Sequence, residues 1–125
     1  GIAFGSYNAL DNTVIDCAFY YCTEGIHNSV GNVYIRRCHF VGSQNTDVFT
    51  HVGDSAALRC TSVDSKCFLQ DSGQMFVMED CHIDGWTSPR GAVQHTVNAP
   101  FTIFDCTFTN PPHRSAPVQG GKMPR

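Results

Sequence analysis

Apolar and polar residues alternate in short bursts along this chain, as in Asn32-Val33-Tyr34-Ile35 and Pro100-Phe101-Thr102-Ile103. That two-residue period is the mark of a β-strand. No stretch offers apolar residues at helical spacing over several turns, so the pattern predicts an all-β protein. The bursts also recur. Cys17, Cys38, Cys60, Cys81 and Cys106 stand 21, 22, 21 and 25 residues apart, and each sits in a similar phrase. The phrase is an apolar residue, two mostly polar residues, the cysteine, one small or polar residue, then an apolar residue. Its instances begin at Val14, Ile35, Ala57, Met78 and Ile103, and only the third, which ends in Ser62, is degenerate.

Self-similarity at this period predicts a solenoid, in which each repeat buries its apolar side by stacking on its neighbours. The residue three before the cysteine and the cysteine itself cannot both face inward on one straight strand. A tight bend is therefore expected between them, with Asp16, Asp80 and Asp105 at its second position, where a short polar side chain tolerates left-handed backbone angles. A second ladder follows about ten residues after each cysteine. Aligned as heptapeptides it runs Gly25 to Gly31, Val48 to Asp54, Cys67 to Gly73 and Ala92 to Asn98, each ending in Gly, Asp or Asn. Three short parallel strands per coil of roughly 22 residues describe a right-handed parallel β-helix, the usual hand of parallel crossovers.

The run Gly31-Asn-Val-Tyr-Ile-Arg-Arg-Cys-His-Phe40 resembles the repeat of pectin-lyase-like right-handed β-helix proteins, and the likeness extends over nearly the whole chain. The resemblance speaks to the fold, because that superfamily holds polysaccharide lyases, glycoside hydrolases, epimerases, phage tailspikes and adhesins. It implies an extended polysaccharide as the ligand class and a secreted or cell-surface parent. It assigns no catalytic motif.

The alignment sorts the interior into stacks about 4.8 Å apart. Ile2, Ile26, Phe49, Phe68 and Val93 are expected in the first strand, and Val14, Ile35, Ala57, Met78 and Ile103 in the second. The five cysteines join Phe19, Phe40, Ile83 and Phe108 in the third, as a column of small buried thiols. Stacked side chains point the same way, which opposes disulfides within the column. Cys22 and Cys67 lie outside it, and a disulfide involving them stays open. No Cys-x-x-Cys or Cys-His cluster has zinc spacing, so neither metal nor cofactor is expected.

A formal charge of −3 with no basic stripe argues against a nucleic-acid partner. No apolar run approaches the roughly 20 residues that span a bilayer. Gly1 to Ser6 matches the heptapeptide ladder, so the chain is expected to begin in mid-coil, as a fragment whose open coil ends invite end-to-end homo-oligomers. Residues 1–110 read as one domain of about five coils, and residues 111–125, with Pro, Gly and basic residues, as an irregular tail or cap.

Chemistry is then expected on outward residues. The bend column Asp16, Arg37, Arg59, Asp80 and Asp105, with Arg36 and Glu79 beside it, reads as a solvated ion-pair ladder. Next to it run Ala18, His39, Thr61, His82 and Thr107, where two histidines stand roughly 9.6 Å apart, too far for one metal. On the first ladder, Asn28, His51, Gln70 and His95 are expected in one column beside His27, with Glu24, Asp47, Lys66 and Arg90 at the loop exit. Glu24, Asp47, Lys66 and Arg90 are the catalytic candidates, as a carboxylate pair for hydrolysis or a cationic base for a lyase. His27, His51, His95, Asp47 and Lys66 are the ligand-binding candidates, and Tyr20, Tyr21, Tyr34 and Trp86 would stack on sugars. A non-catalytic structural solenoid is the alternative reading.

Overall fold

The bend ahead of each cysteine forms as the phrase predicts. Asp16, Arg37, Arg59, Asp80 and Asp105 all adopt left-handed backbone, with φ between 51° and 56°. A computed structural model describes residues 1–5, 10–51, 53–73, 75–111 and 116–122. It is all-β, with parallel sheets stacked as a β-solenoid of about four turns from the first strand of each sheet to the last. The first coil contains β1 (Ile2–Phe4), β2 (Asp11–Ile15) and β3 (Ala18–Tyr20). The second contains β4 (Glu24–Asn28), β5 (Asn32–Arg36) and β6 (His39–Val41), and the third β7 (Thr46–Thr50), β8 (Asp54–Leu58) and β9 (Thr61–Ser65). The fourth contains β10 (Leu69–Asp71), β11 (Met75–Glu79) and β12 (His82–Trp86). Then come β13 (Val93–Phe104), β14 (Thr107–Thr109) and β15 (Val118–Lys122).

Strands β1, β4, β7, β10 and the start of β13 make the first sheet. Strands β2, β5, β8, β11 and the end of β13 make the second, and β3, β6, β9, β12 and β14 the third. Within the stretch 111–125, expected as an irregular tail or cap, β15 pairs with β13 with a shift of register between His95 and Pro100.

The second and third stacks match the expectation. Val14, Ile35, Ala57, Met78 and Ile103 are in register. So are Phe19, Phe40, Ser62, Ile83 and Phe108. Phe19 lies on Phe40 with ring centroids 5.0 Å apart. The cysteines sit in the corner just before the third-sheet strands. Each thiol of Cys38, Cys60 and Cys81 lies against the carbonyl two residues back and one on the preceding coil, at 3.5 to 3.9 Å. A cysteine suits this place because it fills a small apolar gap while its weak S–H donor shares carbonyls that already accept a backbone N–H from the neighbouring coil. All seven cysteines are free thiols.

The first stack departs from the expectation. The residues in register are Ile2, Ile26, Val48, Leu69 and Val93, so Val48 and Leu69 replace Phe49 and Phe68. Phe49 is turned outward. Phe68 is still fully buried, one position earlier at the corner, where its ring meets Phe40 edge-on. A slip of one residue reverses the face of every side chain in a strand, and two adjacent apolar residues fit the local pattern in either register.

A second left-handed column runs along the third sheet at Tyr21, Gly42, Asp64, Gly85 and Asn110, just past β3, β6 and β14 and one residue before the ends of β9 and β12. Glycine is needed at position 25 for a different reason, since a Cβ there would lie 2.8 Å from the Phe40 ring and 2.7 Å from the Asp47 carbonyl oxygen.

Candidate functional site on the first sheet

Because the first sheet is in this register, its outward column is Ala3, His27, Phe49, Gln70 and Gln94, the last of them buried with Nε2 donating to Ser88 Oγ and the Gly91 carbonyl at 3.2 Å. Strand alternation and stacking thus place an imidazole, a phenyl ring and two amides on successive coils. His27 stacks on Phe49 with ring centroids 4.6 Å apart and planes 12° from parallel. Its ring is held from both sides, with Nδ1 2.6 Å from Glu24 Oε1 and Nε2 2.8 Å from Ser29 Oγ. Glu24 Oε2 accepts from Asn45 Nδ2 at 2.9 Å, and the same amide lies 3.4 Å from Gln70 Oε1. The chain of contacts runs across three coils. Beside it, Phe49, Gln70, Asp71, Ser72, Arg90 and Gln94 line a depression of about 210 Å³.

Of the residues expected here, Glu24, His27 and Arg90 lie on this side of the molecule. His51 is exposed just past β7, where Nδ1 is 3.1 Å from Ser72 Oγ, and Lys66 is exposed in the connection before β10. His51 and Gln70 do not share a column with Asn28 and His95. The column that contains those two is Asn28, Thr50, Asp71 and His95, and it faces inward with every member buried. Thr50 Oγ1 donates to Asp71 Oδ1 at 2.7 Å, the Gly73 amide donates to the same oxygen at 2.7 Å, and His95 Nδ1 pairs with Asp71 Oδ2. This is an internal polar ladder.

Asp47 is also interior. It is fully buried, with Oδ2 bonded to Ser62 Oγ and Oδ1 to Ser65 Oγ at 2.6 Å. Burial is the main influence on its carboxyl and pushes it up to about 6, against the hydroxyls that stabilise the charge. Neither Asp47 nor His95 reaches a ligand on the outer face. Trp86 is buried too, edge-on to Phe108 at 6.3 Å, while Tyr20 and Tyr21 lie at the third sheet and Tyr34 on the second. The ring on the first-sheet face is Phe49. It was identifiable from the column of aliphatic residues Ile2, Ile26 and Val93, which Val48 and Leu69 continue more closely than two phenylalanines.

The bend column forms the expected ladder. Arg37 donates Nε–H to Asp16 Oδ1 at 2.6 Å and Nη2–H to Oδ2 at 3.0 Å, and these bonds hold the Asp16 carboxyl below its usual range. Arg59 approaches Asp80 at 3.9 Å. A depression of about 530 Å³ opens here between Arg36, Arg37 and Arg59 on one side and Glu79, Asp80 and Asp105 on the other. In the neighbouring column His39 bonds Thr61 and His82 bonds Thr107, so each imidazole has a hydroxyl partner on the next coil. Among the described residues no group of three His, Cys, Asp or Glu side chains is arranged to hold a metal ion. No protein-family model, curated protein or solved structure matches the chain.

Proposed function

We propose that this chain is a β-helix module related to the pectin-lyase-like proteins, and that it binds an extended polysaccharide along the outer face of the first sheet. The observation that carries the reading is the run His27, Phe49 and Gln70 on three successive coils beside the Glu24–Asn45 network. A sugar ring presents an apolar face that packs on phenyl and hydroxyls that pair with amide and imidazole groups. A ligand lying across the coils meets the His27 imidazole, the Phe49 ring and the Gln70 amide on successive coils. Arg90, exposed at the edge of the depression, adds a donor for hydroxyl or carboxylate groups.

A glycan array with neutral and acidic polysaccharides tests this directly. Binding is expected for the native chain and is expected to be lost in a Phe49→Ala, Gln70→Ala, Arg90→Ala variant that keeps its β circular dichroism. Absence of binding on the array, or binding indifferent to the triple substitution, rejects the proposal.

The second reading is a non-catalytic structural or interaction solenoid that self-associates through its coil ends. One observation favours it. Asp47 and Asp71 are interior, so among the described residues no second carboxylate joins Glu24 on the outer side of the first sheet, and glycoside hydrolysis uses two.

A further inference from the structure

The outer face of the second sheet carries a column that, read from the other end, keeps its apolar positions and exchanges its charges. Ile15, Arg36, Leu58, Glu79 and Phe104 occupy equivalent positions on five successive strands, in the order apolar, cation, apolar, anion, apolar. The two ends are open to solvent, Ile15 at 42% and Phe104 at 54% exposure, and Leu58 is half-buried. Among the described residues neither Arg36 nor Glu79 has an ion-pair partner. They stand two strand spacings apart, about 9.6 Å, with Leu58 between them. The next column on the same face, Thr13, Tyr34, Ala56, Val77 and Thr102, is uncharged and also symmetric at its ends and centre.

An isologous interface must be complementary to itself. Consider a two-fold axis that lies in the interface, runs parallel to the strands and passes over Leu58. It preserves position along the strand and reverses the order of the coils, so every column meets its own reverse. We propose that the outer face of the second sheet is a homodimer interface of this kind. Arg36 faces the partner's Glu79, Ile15 faces the partner's Phe104, and Leu58 meets the partner's Leu58. At the corner beside them Arg37 faces the partner's Asp80. Asp16, which comes opposite the partner's Asp105, is already neutralised by Arg37. Arg59 comes opposite its own copy near the axis, with Asp80 3.9 Å away in the same chain. The match fails in the column beginning at Asp11, where Asp54 meets Asp54 at the rim and stays solvated.

Five strands at about 4.8 Å by five residues at about 3.3 Å present roughly 400 Å² per copy, about half of a standard interface. A weak, reversible dimer follows, not an obligate one.

The test is sedimentation equilibrium of the full chain from about 10 μM to about 1 mM, a range that brackets such affinities. The native chain is expected to pass from monomer to dimer. Arg36→Glu and Glu79→Arg, each of which sets like charges opposite one another twice per dimer, are expected to weaken association at least about tenfold. The double exchange restores opposite charges across the axis and is expected to recover native association, all variants keeping native circular dichroism. A chain that stays monomeric throughout overturns the proposal. So does a double exchange that fails to recover, or a dimer that tolerates Arg36→Glu and Leu58→Asp, which assigns association to the coil ends or another surface.

Discussion

Inside the third coil, Ser62 Oγ donates a 2.5 Å hydrogen bond to Asp47 Oδ2, while Ser65 Oγ donates to Oδ1 at 2.6 Å. This contact accounts for the one irregular instance of the cysteine phrase. Ser62 stands where the other coils have Phe19, Phe40, Ile83 and Phe108, and an apolar side chain there would take from buried Asp47 Oδ2 its hydroxyl donor. The smaller residue in one strand is thus matched to an acid in another, 15 residues earlier.

The same acid makes stability depend on pH. Its carboxyl is pushed up to about 6 from 3.8, chiefly by burial, so the folded chain holds the proton more tightly than the unfolded one. Its contribution is complete below about pH 4 and is lost as pH rises through about 6, a change of about 3 kcal/mol for the 6 − 3.8 = 2.2 unit difference. Urea unfolding of the native chain and Asp47→Asn between pH 4 and pH 7.5 checks this. The variant is expected to gain on the native chain as pH rises, and parallel curves would remove Asp47 as the cause.

The internal ladder offers a second stability test. Asp71 takes donors from Thr50, Gly73 and His95, and the His95 and Asp71 side chains are 0% and 1% exposed. Truncating either residue takes a buried hydrogen-bond partner from the other, so Asp71→Ala or His95→Ala is expected to cost about 1 to 3 kcal/mol. The double variant should lose less than the sum, as contacting residues do. Additive losses in chemical denaturation would mean that the two residues act separately.

Thiol labelling reports on the cysteine column. Burial pushes Cys67 up to about 11 and raises Cys38, so both remain protonated and shielded at neutral pH. Cys60 and Cys81 are equally buried. Half-exposed Cys17 and Cys22 are expected to react first with iodoacetamide in the native protein. Cys106 should follow despite similar exposure, because its contact with Cys81 raises it. Peptide mapping after timed quenching reads the order, and early labelling of Cys38 or Cys67 contradicts it.

At the corners, an ordinary L-residue with positive φ carries a cost that a suitable replacement relieves. Arg59 has a φ of 53° and a side chain 69% exposed. Arg59→Asn is expected to be neutral or stabilising by about 0.5 kcal/mol, whereas Arg59→Val, branched at Cβ, should cost about 1 to 2 kcal/mol. Thermal unfolding separates the two.

What the chain alone determined is concentrated where its punctuation is strict. The cysteine phrase joins an inward apolar residue, one outward residue, a left-handed position and a small thiol, so its register is set on both sides, and the second and third stacks follow from it. On the first sheet the local pattern is degenerate. Val48-Phe49 and Phe68-Leu69 each supply two adjacent apolar residues, either of which satisfies a half-buried strand. Only the hydrogen bonds to neighbouring coils decide between them. That decision moved Phe49 to the surface and left Asp47 and His95 inside. Polar residues clustered in an alignment thus divide into a solvated face and a buried ladder, because the direction of a side chain depends on the register of the whole stack and not on its own neighbours in sequence.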